Sequence, residues 1–110
     1  MAFFRNTKPN SIAGISLPAD GSDSVAIHLL SKGFKGTVNT DYEDDRRFLL
    51  SLPGARVIDT SSGCMVVFEG AINVMHMLDT AGSLFDAQLI KEVEDKRVHA
   101  QEDALRFSIG

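Results

Sequence analysis

"ARVIDTSSGCMVVFEG", residues 55–70, sets two short, β-branched apolar runs on either side of Thr60-Ser61-Ser62-Gly63. Runs of that length suit strands and small polar residues suit a tight reversal, so a β-hairpin is expected. Glu69-Gly70 then turns the chain into "AINVMHML" (71–78), expected as the third strand of a small antiparallel meander. Ala71, Val74, Met75 and Leu78 also fit helical spacing, because a short apolar run satisfies both periods.

Downstream of the meander, Ser83 with Asp86 three residues later is a helix-start signature, and no Gly or Pro occurs from Leu84 to Phe107. A helix of 20 residues or more is expected there. Its first half carries a core-facing stripe in Phe85, Leu89, Ile90 and Val93. Its second half is mostly charged and keeps few apolar residues, among them Val98, Leu105 and Phe107. A helix whose far half lacks a full apolar stripe protrudes from a small domain or pairs with another chain.

Upstream, "DYEDDRRFLLSL" (41–52) reads as a helix with Thr40 and Glu43 in capping-box spacing, stopped by Pro53-Gly54, with Phe48, Leu49 and Leu52 facing inward. "DSVAIHLLSK" (23–32) reads as another: Ser22 caps it, Asp23 suits the positive end of its dipole, and Gly33 suits a left-handed C-terminal residue. Residues 1–21 hold two of the three prolines with several Asn, Ser and Gly, which suggests an extended arm. Phe3, Phe4, Ile12 and Ile15 make that arm too apolar for a solvated tail, so it is expected to lie on its own domain or on a neighbouring subunit.

A chain of 110 residues suffices for one core, and 44% hydrophobic with 24% charged residues is ordinary globular usage. The net charge of -4 and the scattered Lys and Arg argue against a concentrated phosphate-binding face. Cys64 is alone, so no internal disulfide is possible, and its apolar neighbours suit a reduced core residue. With no apolar h-region at the N-terminus and no run of about 18 apolar residues, a cytoplasmic location without membrane contact is expected.

Short motifs fail on their surroundings. Asp79-Thr80-Ala81-Gly82 matches the γ-phosphate sensor of small GTPases, but the chain has no Gly-Lys dipeptide for a phosphate loop. Asp59-Thr60 and Asp79-Thr80 lack the following Gly that an aspartic protease needs. Asn39, Asp41, Glu43 and Asp45 alternate like calcium-loop ligands, yet Asp44 and Leu50 stand where Gly and a bidentate Glu are required. Cys64 and His28, His76 and His99 are far apart in sequence, so nucleophilic chemistry has no local signature. "KGFKGT" (32–37) resembles the Gly-x-x-Gly loop with which KH domains clamp a nucleic-acid backbone, and that resemblance implies contacts from Lys32 and Lys35.

The expectation is therefore an α+β protein: a meander of two to three strands packed with two short helices and one long C-terminal helix over residues 22–110, preceded by an N-terminal arm over 1–21. No catalytic, metal or cofactor residues are expected. By elimination the chain reads as a small non-catalytic protein-binding or regulatory module, of the kind a virus or mobile element uses to inhibit a host protein. Phe3, Phe4, Ile12, Ile15, Val98, Leu105 and Phe107 are the expected partner-binding residues. The alternatives are a self-assembling subunit of an oligomer or virion, joined through the arm or the last helix, and a nucleic-acid binder using Lys32 and Lys35.

Overall fold

In "SVAIHLL" every second side chain vanishes from solvent. Val25, Ile27 and Leu29 are buried, while Ala26, His28 and Leu30 between them are partly exposed, the period of a strand and not of a helix. In the computed structural model, which describes residues 2–109 except for the side chains of Phe34 and of residues 99–109, this segment is the middle of a five-stranded antiparallel sheet. The strands are β1 (Ala2–Arg5), β2 (Ile12–Leu17), β3 (Ser24–Leu30), β4 (Arg56–Thr60) and β5 (Gly63–Glu69), in the order β1-β2-β3-β5-β4.

The helix expected over 23–32 is thus replaced by β3. All seven of its residues pair with β5, and β2 pairs along its other side, so sheet hydrogen bonds on both edges outweigh the cap-like letters Ser22 and Gly33. The arm expected over 1–21 is replaced as well. Its apolar letters form β1 and β2, and its polar letters make the turn that joins them. The β4–β5 hairpin forms as read, with Ser61 and Ser62 between the paired residues Thr60 and Gly63.

Three helices cover one face of the sheet: α1 (Tyr42–Leu50), α2 (Ala71–Ala81) and α3 (Ala87–Ile109). Residues 71–81 are helical where a third meander strand was expected. Gly70 at φ 91° redirects the chain after β5, and Val74, Met77, Leu78 and Ala81 then meet the core at helical spacing. In α1 the Thr40–Glu43 capping box does not form; the Asn39 carbonyl takes the Tyr42 N–H at 3.1 Å instead. Its inward stripe is Tyr42, Asp45 and Leu49, which leaves Phe48 37% exposed rather than inward.

The start of α3 lies three residues beyond Ser83. Asp86 is the capping residue, its Oδ1 accepting the Leu89 N–H at 2.8 Å, after a 3-10 turn over Gly82–Leu84. Phe85, Leu89 and Val93 are buried as the spacing predicts. α3 packs over β1 and β2, at one end of a buried row formed by Phe4, Ile15, Ile27, Val66 and Val57, five residues in register across all five strands.

The β1–β2 turn shows why its polar residues are there. Buried Asn6 donates from Nδ2 to the carbonyls of Ile12 and Leu84, both at 3.1 Å, and accepts the Asp86 N–H on Oδ1 at 3.1 Å. Asn10 donates to the Leu84 carbonyl, Lys8 to that of Ser83, and Thr7 to Asp86 through both its N–H and its hydroxyl. The first hairpin is thereby fastened to the start of α3. No helix among the described residues is long and apolar enough to cross a membrane.

Candidate functional site

Antiparallel sheets with one covered face normally turn polar residues outward on the other. The uncovered face here departs from that rule. Directly paired residues share a face, so the registers define two rows across it: Phe3, Ser16, Ala26, Val67 and Arg56, then Arg5, Gly14, His28, Met65 and Ile58. Apolar side chains hold five of the ten positions, Phe3, Ala26 and Val67 in the first row and Met65 and Ile58 in the second. Charge sits at the borders, where Arg5 is on the β1 edge and Arg56 pairs with Glu69 at 2.8 Å near the β4 edge.

Phe3 organises one end of this face. Its ring lies edge-on to His28 with centroids 5.3 Å apart, and it covers Gly14, where a Cβ would stand 2.6 Å from the Phe3 Cζ and collide with the Phe4 carbonyl oxygen. Glycine at 14 is therefore required by the ring as well as by the strand. Although it covers its neighbours, Phe3 itself is 52% exposed, and Ile58 at the far end of the second row is 42% exposed.

Ser16 and His28 form the one pair on this face that resembles catalytic chemistry. Ser16 Oγ and His28 Nε2 are 2.8 Å apart, within reach of a nucleophile and its base. However, Ser16 is buried, and among the described residues no carboxylate bonds the other ring nitrogen of His28. Burial holds the His28 pKa below its ordinary value, which keeps the ring neutral and able to satisfy the buried hydroxyl. The pair explains how a polar residue sits within an apolar face.

The other chemical candidates are dispersed. Cys64 lies on the helix-covered face against Tyr42, whereas His28 lies on the opposite face and His76 on the outside of α2. The bond to the Cys64 sulfur and burial push the Tyr42 hydroxyl up to about 12. Asp45 accepts from the Ser11 hydroxyl at 2.6 Å and anchors α1 to the β1–β2 turn, a structural use of one supposed calcium ligand. Asp59 in β4 and Asp79 in α2 are both exposed and on separate elements. Among the described residues no group of three or more His, Cys, Asp or Glu is placed to hold a metal ion.

A concave surface of about 300 Å³ runs between α2 and α3 and is lined by Met75, Leu78, Asp79, Glu94, Arg97 and Val98. Arg97 is committed to Asp23, with its Nη2 2.9 Å and its Nε 3.0 Å from one carboxylate oxygen, which fixes α3 to the start of β3. The groove mixes charge and apolar surface and is open to solvent.

The expected partner-binding residues separate accordingly. Ile12 and Ile15 are buried in the core and Phe4 is packed against it, so these three support the sheet and are not available to a partner. Phe3 stands on the uncovered face and Val98, half exposed, in the α2–α3 groove. The side chains of Leu105 and Phe107, on the last turns of α3, are outside what the structure describes. Lys32 and Lys35 are exposed in the turn after β3, which is closed by a Lys32–Val38 bridge; Lys35 has φ 64°. A strand precedes that turn and α1 begins only at Tyr42, so the helix–loop–helix setting of a KH clamp is not reproduced. Ala26, Ile58, Met65 and Val67 were not among the residues expected to act; the signals for the sheet that presents them are the alternation in residues 24–30 and the unbroken apolar run 64–68, which puts apolar side chains on both faces of its strand.

Compared with known protein families, curated proteins and solved structures, the chain finds no match.

Proposed function

We infer that this protein is a small non-catalytic module that works by protein–protein contact, and that the uncovered face of its sheet is the contact surface. The observation that carries the reading is the composition of the two rows: Phe3, Ala26, Val67, Met65 and Ile58 occupy positions that face water. Apolar groups gathered on one outward face cost free energy unless something covers them, and charges confined to the border match the core-and-rim pattern of protein interfaces. In its fuller form the reading is a regulatory role, in which occupation of this face controls what another protein does. The rim holds both signs of charge in Arg56 and Glu69, which suits a protein partner better than a polyanion.

The test places a photo-reactive side chain at Ile58 and, as a control, at exposed Glu43 on α1, in the full-length protein within its producing cells. The reading predicts discrete protein adducts from position 58 that Met65→Lys suppresses, and none above background from position 43. Equal adduct yields from the two positions would overturn it.

A further inference from the structure

We propose that the uncovered sheet face is closed by a second copy of this chain, packed sheet on sheet about a two-fold axis that runs along β3. The proposal rests on the contact-surface reading above and names the occupant.

Size is the first argument. Five strands at about 4.8 Å spacing and about 3.4 Å per residue along a seven-residue strand give a face of roughly 450 Å² in projection. Side-chain relief raises the area removed from water to the order of 600 Å² per copy, so a pair buries on the order of 1,200 Å², the lower end of stable interfaces. A smaller ligand would leave most of both rows wet.

Relief along the rows is the second. An axis along β3 sets each row of one copy against the same row of the other, reversed end to end. Ala26 then meets Ala26 at the axis, and Val67 stands over buried Ser16, a large residue over a small one, twice. In the next row Met65 faces the Phe3 ring that covers Gly14, a thioether–aromatic contact of the kind that stabilises cores. Aligned sheets, whose strand directions stay within about 30° of each other, accept this pairing at a spacing of about 10 Å.

Charge is the third. The chain carries a formal charge of -4, yet the uncovered face holds two arginines, Arg5 and Arg56, and one carboxylate, Glu69. The acidic residues Glu43, Asp44, Asp79, Glu94 and Asp95 lie on the helices. With Arg5 and Arg56 set against Glu69, each copy presents a formal charge of only +1 on the sheet, so two copies meet there with little mutual repulsion.

Light scattering across a concentration series, with wild type, Val67→Lys and Met65→Lys, tests this directly. The proposal predicts a wild-type dimer, and for each lysine variant a monomer with unchanged far-UV circular dichroism at concentrations where the wild type is fully dimeric. Because a lysine at 67 can disturb folding, Ala26→Cys supplies a second route: the thiols introduced on the axis should be joined by a short bis-maleimide into a covalent dimer, while buried Cys64 in the wild type is not. A wild-type monomer at all concentrations overturns the second copy as occupant and leaves the adducts from position 58 to decide whether a foreign protein uses the face. A wild-type dimer that both lysine variants retain, and that the Ala26→Cys variant does not allow to be bridged, overturns the proposal, and the adducts from position 58 again decide whether a foreign protein uses the face.

Discussion

Asp86→Ala should loosen two connections at once. The Asp86 carboxylate caps α3 through the Leu89 N–H at 2.8 Å and holds the β1–β2 turn through the Thr7 N–H at 2.8 Å and the Thr7 hydroxyl at 2.9 Å. Loss of an N-cap costs about 1 kcal/mol, and the two further hydrogen bonds add about 0.5–1 kcal/mol each, so the variant should lose roughly 2–3 kcal/mol. For a chain of this size that lowers Tm by on the order of 10 °C. Urea unfolding followed by circular dichroism would measure it, with Asp86→Asn keeping an acceptor for Leu89 as the milder comparison.

A double-mutant cycle with Thr7→Val should give a coupling of about 0.5–1 kcal/mol, since the hydroxyl bond exists only when both partners do. The effect also has a pH sign. Hydrogen bonding from Thr7, then from Leu89, holds the Asp86 pKa below its ordinary 3.8, so the stabilisation is full above that value and is lost as pH falls through the lower folded-state value. The deficit of Asp86→Ala should therefore be constant near neutrality and shrink only in acid. A loss below about 0.5 kcal/mol, or additive single variants, would refute the fastening of the first hairpin to α3.

Other perturbations address separate parts of the structure. Gly14→Ala should cost about 1–3 kcal/mol by overpacking, because its methyl group meets the Phe4 carbonyl and the Phe3 ring, and thermal melts would record the loss. The Arg97–Asp23 pair is largely shielded from water at 13% and 27% side-chain exposure, so Asp23→Ala should destabilise more than removal of the exposed Arg56–Glu69 pair by Glu69→Ala, a comparison for chemical denaturation. Tyr42 is the only tyrosine, which lets ultraviolet titration read it alone. Its folded-state pKa of about 12 lies above the ordinary 10.0, so its contribution is intact below pH 10.0 and is lost as pH rises toward 12, a decline that Tyr42→Phe should reduce.

What the sequence conveyed depended on how local the signal was. The β4–β5 hairpin and the buried half of α3 were legible because their patterns are self-contained: two β-branched runs about a Ser-Ser turn, and Phe85, Leu89 and Val93 on one helical stripe. Residues 24–30 misled because Leu29-Leu30 and the cap-like Ser22 and Gly33 suit a helix, while the choice of a strand comes from β2 and β5 on either side. Residues 71–81 fitted both periods, and only the positive φ of Gly70 and the core above β5 select the helix.

The polar letters Asn6, Thr7, Lys8 and Asn10 looked like linker chemistry because their partners, Ser83 to Asp86, lie more than 70 residues away. For the same reason Ile12 and Ile15 looked like arm residues able to grip a partner. Of the proposed contact face, Phe3 was legible as an exposed aromatic, whereas Ala26, Met65, Val67 and Ile58 became a surface only when five strands were placed in order.

Side-chain methyl spectra recorded on dilution test the central claim most directly, because they report which surface changes environment as molecules separate. Contact through the sheet predicts concentration-dependent shifts for the methyls of Ala26, Ile58, Met65 and Val67, with those of Ile72 and Met75 on the outside of α2 unmoved. Shifts confined to Ile72, Met75 and Val98, with the sheet methyls constant, would contradict it and move the contact to the α2–α3 groove.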